Sequence, residues 1–543
     1  MEVAIFRDCY MLAIKNFVGL PSRIFIGILI YLSEVKKKMD NRKKLLFASF
    51  LTLVAAGAGF ATRGAAGPAW AEMGISQTDF GGIMGAGFWG FGLVILIGGF
   101  VVEFLGYKPV MLLSVVLHIV SAIMLFLAPG LYEGWVTELG QEQATRQVIS
   151  LLTWSVVIFS CCNGLYEAVI NPLVGQLYPE NQTHYLNILH AGWPGGMALG
   201  GLLAACFQNN TAWITEIPWE VALSSYSLVL IVILLMSLKE NFPDTVTSKS
   251  NTSPLVLFSC FASIPFLVLI VIHGMIGYME LGVDSWQTRL MEGLVNNSVT
   301  VLIYTSILMF VLRFCAGPIV HKLNPIGLLL VSSVIAVLGL VWLSMDTTSV
   351  LIIFAAATLY SLGKAFLWPT MLAVAGERYP QSGAVAMSAL GAVGMLTVGL
   401  GATTMIGAQQ SNEMTKHLQN TAPEVATEYV LDGENSFLGY SYSEVDPVKQ
   451  QDALDDKDND DHATILASYN HGSRQALRLT AIVPVLMSVG FLALLLYYRS
   501  QGGYKVITLG GDEDESGDAY PSVAAEEAPS DEGNAEAEEG GEE

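Results

Sequence analysis

Five ionisable residues lie inside long apolar segments of this sequence, where a charged side chain is costly. They are Arg63, Glu167, Glu280, Asp284 and Lys364. On insertion scales, such a residue at the middle of a bilayer costs roughly 2.5–3.5 kcal/mol, so residues of this kind usually line a path for solutes or protons. A carboxylate can take up and release a proton, and a buried cation can hold an anionic group. The sequence therefore predicts a path for a solute, a proton or both.

Polar and aromatic side chains accompany these residues at helical spacing. Residues three or four apart share one face of a helix. Amides on such a face can hydrogen-bond a solute, and indole rings offer flat apolar surfaces that suit a sugar ring. The groups are Asn163, Glu167 and Asn171; Tyr360, Lys364 and Trp368; His273, Glu280, Asp284 and Gln287; and Asn187, His190 and Trp193.

These positions lead to specific roles. We expect Glu167, the carboxylate of the first face, to couple transport to protons. Two residues at predicted cytoplasmic helix ends, Glu103 and Arg313, are expected to act with Glu280 and Asp284 in gating or coupling. The predicted solute contacts are Arg63, Asn163, Asn171, Asn187, His190, Trp193, Lys364 and Trp368.

Structural roles remain as alternatives. Glu167 and Lys364 would then form a buried ion pair between two parts of the molecule, one that can open when Glu167 is protonated. Separately, Arg63 and Glu280, counted to the outer halves of their segments, are predicted to pair when the cavity faces inward. The asparagines would tie neighbouring helices together, and the tryptophans would only pack.

The composition is that of a membrane protein: 53% of the 543 residues are hydrophobic, 14% are charged, and the mean hydropathy is +0.52. Apolar runs of about 20 residues can cross a bilayer, and lipid leaves the backbone only its own hydrogen bonds, so these runs must be helices. We predict an all-α polytopic protein whose spans are 44–66, 79–104, 108–128, 148–178, 185–207, 219–238, 255–283, 298–320, 325–344, 349–376, 384–408 and 476–498.

Charge predicts the orientation. The short loops on one side of the membrane hold most of the Lys and Arg residues, and such loops stay in the cytoplasm. We therefore predict an inner-membrane protein with both termini in the cytoplasm. The net charge is −22, and two stretches account for it: 409–470 carries −10, 511–543 carries −14, and the rest of the chain sums to +2. We expect the first to be a solvated external loop without calcium sites and the second to belong to an acidic, disordered cytoplasmic tail, 499–543. Both 409–470 and 511–543 are expected to be dispensable for transport. Residues 1–43 form a cytoplasmic N-terminal segment, of which 1–38 is expected to be a surface segment or an untranslated extension.

The spans divide into two similar halves. A polar linker at 239–254 separates 44–238 from 255–498. The pattern Gly99-x3-Glu103-x2-Gly106-x-Lys108 after span two has a counterpart, Gly317-x3-His321-x2-Asn324, after span eight. Glu167 precedes Pro172 by five residues, as Lys364 precedes Pro369. Two repeats of six helices are typical of secondary transporters whose solute site lies between the halves.

Three motifs resemble the fucose:proton symporter family of major facilitators. Glu167-x3-Asn171-Pro172 is similar to that family's Glu-x3-Asn-Pro in span four, Leu186-Asn187 to its Leu-Asn in span five, and Glu280-x5-Trp286 to its Glu-x5-Trp in span seven. The resemblance implies the major facilitator fold and proton-driven import of a monosaccharide, with Glu167 taking the proton and contacting sugar. The family's span-one Asp has no acidic equivalent near Gly64, and Lys364 is not a family feature.

The sequence as a whole predicts a solute:proton symporter for a sugar or sugar acid that works by alternating access. An organic-anion carrier, an uncoupled facilitator and a transporter-derived solute sensor are the alternatives. An enzyme is not expected, because no nucleotide loop, metal cluster or nucleophile with a nearby base is present. The predicted partners are a small solute, protons and the lipid bilayer, without nucleic acid, cofactor or metal, and a monomer is expected.

Overall fold

The computed structural model describes residues 40–75, 77–205, 218–246, 248, 254–291, 295, 299–347 and 349–507. The predicted segment 1–38 and most of the predicted tail lie outside these residues. In the described part, ten helices are long and apolar enough to cross a membrane. Two further helices, Gln182–Ala205 and Val299–Arg313, bring the number to the predicted twelve.

The twelve helices follow the predicted order along the chain. Their bounds are α1 Asn41–Gly64; α2 Gln77–Leu105; α3 Tyr107–Leu139; α4 Gln141–Leu177; α5 Gln182–Ala205; α6 Trp219–Ser225 and Ser227–Lys239; α7 Ile264–Gly277, Tyr278–Gly282 and Val283–Leu290; α8 Val299–Arg313; α9 within Ala316–Leu343; α10 Val350–Lys364 and Leu367–Arg378; α11 Gly383–Thr397, Val398–Ala402 and Thr403–Thr421; and α12 His462–Thr480 and Ile482–Ser500. A short helix, Gly67–Ala71, follows α1, and 3₁₀ turns lie at Pro179–Asn181, Pro254–Ala262 and Pro380–Ser382.

A kink at Asn324 separates α8 from α9. Helix Ala316–Leu343 is interrupted there, because Asn324 has φ of 54°, in the left-handed region. The Asn324 side chain accepts a hydrogen bond from the Gly327 N–H (2.9 Å) and so caps the helix that follows. Residues 316–323 are thus the continuation of α8 after a break at 314–315. This position agrees with the predicted boundary between spans eight and nine.

The two halves pack against each other through equivalent helices. α1 packs on α5 in the first half, and α7 packs on α11 in the second. Between the halves, α2 packs on α11 just as α8 packs on α5. If the two halves are exchanged, α2 takes the place of α8 and α11 that of α5, so one of these two contacts becomes the other. This exchange is what a pseudo-twofold arrangement of two six-helix repeats requires.

Glycines allow the backbones of α1 and α5 to touch. A Cβ atom at Gly200 of α5 would lie 2.6 Å from the Ala58 carbonyl oxygen of α1, and one at Gly57 would collide with the Trp193 carbonyl. Gly192 and Gly196 repeat the contact along α5. Small residues of this kind hold membrane helices together, since lipid gives no hydrophobic drive for helix association. We call this contact the glycine seam.

Two faces of the bundle can be named from their contacts. At the entry face, where α1 begins, Asn41 donates to the Asn241 carbonyl (2.8 Å) and Lys108 donates to the Leu238 carbonyl (2.9 Å). The opposite end is the cap face, where α11 and α12 extend beyond the bundle. In the predicted orientation the entry face is cytoplasmic.

Residues 409–470 are folded, and the expectation of a solvated loop is wrong. α11 and α12 run into this segment, which also holds helices Pro423–Tyr429 and Pro447–Asp455 and a hairpin of β1 (Asn435–Phe437) and β2 (Tyr440–Tyr442). We call residues 409–470 the cap. Its apolar core consists of Met414, Leu418, Ala426, Tyr429, Val445, Ala453, Ile465 and Tyr469. The prediction failed because it used the total charge of the segment. That total does not reveal the helical pairs Met414/Leu418 and Ile465/Tyr469, which bury one face while the acids face outward.

The cap is still predicted to be dispensable for transport. Replacing 422–461 by a short Gly/Ser linker should leave uptake within about twofold, because the cap core lies beyond the bundle. Leu418→Asp in the full chain should expose 423–460 to protease, since it buries a charge in the cap core. Uptake and limited proteolysis of membrane-inserted protein test both. A replaced protein that inserts fully but takes up nothing would contradict the prediction.

Candidate functional site

A chain of buried polar groups begins at Glu167 on α4. The Asn171 Nδ2 donates to Glu167 Oε2 (2.6 Å), and His190 Nε2 on α5 donates to Asn171 Oδ1 (2.8 Å). His190 Nε2 also lies 4.0 Å from Glu167 Oε2. Glu167 and Asn171 of the predicted face of α4 are therefore in contact, and α5 contributes one further predicted residue, His190. Glu167 is buried, and its carboxylate accepts the Asn171 amide.

Arg313 joins both halves of the molecule. Its Nη2 donates to Glu280 Oε1 on α7 (2.8 Å), its Nη1 to the His190 carbonyl on α5 (2.6 Å), and its Nε to the Ala365 carbonyl on α10 (2.7 Å). The sequence placed Arg313 at a cytoplasmic helix end, but the structure places it inside the bundle, where α8 breaks. Three acceptors from α5, α7 and α10 bind the guanidinium there.

Neither predicted ion pair is formed. Lys364 pairs with Asp284 on α7 instead of Glu167, and its ammonium lies 5.0 Å from the Tyr360 ring centroid. Glu280 pairs with Arg313 instead of Arg63. The actual pairs are both made within the C-terminal half, between neighbouring helices, because buried charges are stabilised by the nearest opposite charge rather than by a partner across the cavity.

Arg63 is held without a carboxylate among the described residues. Its Nη1 donates to the Tyr226 hydroxyl (3.0 Å) and to the Gly59 carbonyl (3.0 Å), and its Nη2 to Ser121 Oγ (2.9 Å). The guanidinium also stacks on Phe159, 3.8 Å from the ring centroid. Sequence reasoning missed the partners Ser121 and Tyr226, for which no helical spacing gives a signal. The result is a positioned cation with its charge uncompensated by an acid.

A small cavity lies beside Arg63. Its volume is about 40 Å³, room for a few water molecules, so a larger solute requires the site to open. Four predicted residues line it: Arg63, Asn163, Trp193 and Asp284. The other lining residues are Phe60, Met84, Gly87, Phe88, Phe91, Val156, Phe159, Ser160, Met197, Leu281 and Met395.

Other predicted residues lie away from this cavity. Trp368 packs on His273, with 4.5 Å between ring centroids, and covers Gly394. Asn187 donates to Thr370 Oγ1 across the two halves (3.1 Å). The structure thus divides the predicted solute contacts into a cavity group, the polar chain of Glu167, and contacts nearer the entry face.

A π-helical turn shapes α7 where its acids lie. Residues Tyr278–Gly282 form this turn, which holds Glu280, and Asp284 follows one turn later. It packs against a second π turn, Val398–Ala402 on α11. Such turns occur frequently at functional sites, because the extra residue redirects the side chains that follow. Here the two acids of one helix reach two different cations.

Hydrogen bonds between the halves close the entry face. Glu103 at the end of α2 accepts from the Ala384 N–H at the start of α11 (2.8 Å), where a carboxylate suits the helix N-terminus. Thr183 of α5 donates to Glu377 Oε1 at the end of α10 (2.9 Å). The Asn187–Thr370 bond is a further contact of this kind, and the gating role of Glu103 stays a prediction. Glu377 was missed, although an acid at a helix end was an available signal.

The first residues after α12 pack against Glu377. Gly502 and Gly503 turn the chain with φ of 87° and 103°. Tyr504 then donates its hydroxyl to Glu377 Oε2 (2.7 Å), and the Ile507 N–H donates to the Glu377 carbonyl (2.8 Å). Residues 501–507 of the predicted disordered tail are therefore ordered, and Tyr504 is buried. The remaining tail, 508–543, lies outside the described residues.

Tyr504→Phe should loosen this segment. It removes a hydrogen bond to a carboxylate, which contributes about 1.5–3 kcal/mol. Amide exchange in a peptide covering 500–507 should become at least about tenfold faster, as 1.4 kcal/mol corresponds to a factor of ten. Tyr497→Phe is the matched control, since Tyr497 is exposed. Equal exchange in both variants and the wild type would count against the bond.

Comparisons with known proteins agree with this architecture. The family model of the Major Facilitator Superfamily matches residues 45–402. No curated protein sequence matches the chain. The proton:xylose symporter XylE, bound to 6-bromo-6-deoxy-D-glucose, aligns over 83% of this chain and 95% of its own, with 11% identity and a TM-score of 0.58.

Two further solved structures have a similar fold. The E. coli fucose:proton symporter FucP covers 82% of this chain and 98% of its own, at 13% identity and a TM-score of 0.54. The human organic anion transporter MFSD10 covers 83% of this chain and 100% of its own, at 13% identity and a TM-score of 0.54. At these identities the likeness shows the fold alone. The family match spans more than half of the sequence, so the chain belongs to the major facilitator superfamily and is a multi-pass membrane protein with the transporter fold of that superfamily.

Proposed function

We propose that this protein is a proton-coupled symporter of a sugar or sugar acid that works by alternating access. The observation that carries the proposal is the position of Glu167. It lies four residues, about 6 Å along the helix axis, from Asn163, which lines the cavity. On its other side the polar chain reaches His190, whose carbonyl accepts from Arg313. In this proposal a proton on Glu167 lies between the solute cavity and the contact that joins the halves.

Coupling would follow from the bonds that Glu167 makes. Ionised, Glu167 accepts the Asn171 amide, which in turn accepts from His190 on α5. Protonation removes an acceptor charge and weakens this link, so the arrangement of α4 and α5 differs between the two protonation states. The fucose and xylose symporters, which share the fold, are by their names proton-coupled.

An organic-anion carrier is the second candidate, and Arg63 favours it. Arg63 lines the cavity, and in the described residues no acid pairs with it. A carboxylate on the solute would supply the missing charge with the bidentate geometry that arginine prefers. A sugar acid satisfies both candidates. The human organic anion transporter shows that this fold is used by an anion carrier as well.

We further propose that the protein lies in the inner membrane as a monomer with both termini in the cytoplasm. Support comes from Arg42, Lys44, Lys108, Lys239 and Arg378, which lie at the entry face. Positively charged loops are retained in the cytoplasm.

A ligand screen in proteoliposomes tests the function. Purified protein is exposed to neutral sugars, sugar acids and simple carboxylates, and a rise in melting temperature identifies a ligand of the folded state. The identified solute is then supplied under an inward proton gradient, with internal pH recorded. Acidification that depends on the solute supports symport, uptake without it indicates a facilitator, and binding without counterflow indicates a sensor.

A further inference from the structure

A polar pocket lies between α9 and α12 at the cap face, away from the solute cavity. Its volume is about 450 Å³. Three basic side chains contribute to it, His471, Arg474 and Arg478, which stand at i, i+3 and i+7 and so share one face of α12. The remaining lining residues are Val341, Ser344, Met345, Asp346 and Gln475.

The charge of this pocket is positive. Arg474 pairs with Asp346, and its Nη2 donates to the Thr347 carbonyl (3.1 Å). Arg478 is exposed, and among the described residues no carboxylate lies within ion-pairing distance of it. One guanidinium is thus compensated and one is not. An anion that entered the pocket would meet Arg478 directly, with the imidazole of His471 beside it.

An apolar surface continues from the pocket toward the middle of the bundle. Ile482, Val485 and Val489 follow Arg478 on the same face of α12, within an arc of about 60° at 3.6 residues per turn. Leu338 and Val341 of α9, and Met345 just after it, lie alongside, and all six side chains are exposed. From Arg478 to Val489 the helix rises about 16 Å, which is close to half of a hydrocarbon core of about 30 Å.

We propose that this pocket binds the phosphate headgroup of an anionic phospholipid in the leaflet at the cap face. Arg478 and Arg474 hold the phosphate, and an acyl chain lies along the surface formed by α9 and α12. A phosphate at the level of Arg478 and a surface one leaflet deep below it match the two parts of a phospholipid. Basic pockets between membrane helices recognise lipid headgroups in this way. The proposal does not depend on the transported solute.

Native mass spectrometry of the full-length protein tests the site. The protein in detergent is titrated with phosphatidylglycerol and, separately, with phosphatidylcholine. The first phosphatidylglycerol should bind at least about tenfold more tightly than phosphatidylcholine, and Arg478→Gln should remove this preference. Arg478→Lys keeps the charge and should retain most of it. Arg146→Gln, an exposed arginine at the cap face paired with Glu142, is the matched control and should change nothing.

The measured affinities distinguish a lipid site from a site for a soluble anion. Equal binding of the two lipids by the wild type overturns the proposal, and so does an equal loss in Arg146→Gln and Arg478→Gln. Inorganic phosphate is added as a competitor. If it displaces phosphatidylglycerol at comparable concentration, the pocket is a site for a soluble anion and the lipid assignment is wrong. An unchanged melting temperature of Arg478→Gln shows that the loss is local.

Discussion

Replacing the proton-coupling candidate, Glu167→Gln, is expected to abolish accumulation of the solute against its gradient. Glutamine keeps the size of the side chain and an acceptor for the Asn171 amide, but it cannot carry a proton. For one proton per solute, each unit of pH gradient supports up to about tenfold accumulation, since one unit is about 1.36 kcal/mol. The variant should instead equilibrate the solute to a ratio of about one.

Exchange should survive in the same variant. Counterflow of labelled solute needs the cavity and the alternation of the halves, and the Asn163 and Trp193 side chains that line the cavity are unchanged. Glu142→Gln serves as the matched control, because Glu142 is an exposed carboxylate at the start of the same helix, far from the polar chain of Glu167. It should retain accumulation that depends on pH. Pumping by Glu167→Gln at the level of the wild type would refute the assignment of this residue.

The Arg313–Glu280 pair should carry the largest effect on stability. Arg313→Met leaves Glu280 and two buried carbonyls without their donor. Removing one member of a buried pair costs about 3–5 kcal/mol. The melting temperature of the purified protein should fall by several degrees or more, and solute uptake should be lost because the contact with the His190 carbonyl joins the halves.

A double variant separates charge from packing. In Arg313→Met with Glu280→Leu, neither charge is left buried, and replacing both members of a buried pair by apolar residues is often neutral for stability. The double variant should therefore regain most of the melting temperature lost by Arg313→Met but remain inactive. A cycle that includes Glu280→Leu alone gives the coupling energy. If the losses in melting temperature of the two single variants simply add in the double variant, the interaction between Arg313 and Glu280 contributes nothing to stability.

Much of this structure follows from local sequence patterns. Twelve apolar runs predicted twelve helices, because in the hydrocarbon each run must form the hydrogen bonds of its own backbone. The four-residue spacing of Glu167 and Asn171 predicted that they lie side by side, as they do, since this needs only the geometry of a single helix. The repeated linkers and prolines gave the division into two halves that the packing of α2 on α11 and α8 on α5 supports.

The ion pairs could not be obtained in this way. A pair depends on how two helices are rotated about their axes, and α7 changes its rotation within Tyr278–Gly282. The extra residue of the π turn separates Glu280, which meets Arg313, from Asp284, which meets Lys364. A face drawn through His273, Glu280 and Asp284 at regular spacing is therefore broken. Arg313 was likewise misplaced because the apolar run continues through the break in α8.

The glycine seam limits which parts of the molecule can move during transport. α1 and α5 touch through their backbones at Gly57, Gly196 and Gly200, so sliding one along the other would bring side chains into the carbonyls. The two helices must then move as one rigid body. The displacement falls on the contacts between the halves, such as those of Thr183 and Asn187. The bond of Asn187 contributes about 1 kcal/mol and the bond of Thr183 to the Glu377 carboxylate about 1.5–3 kcal/mol, and water can take the place of either partner when the halves separate.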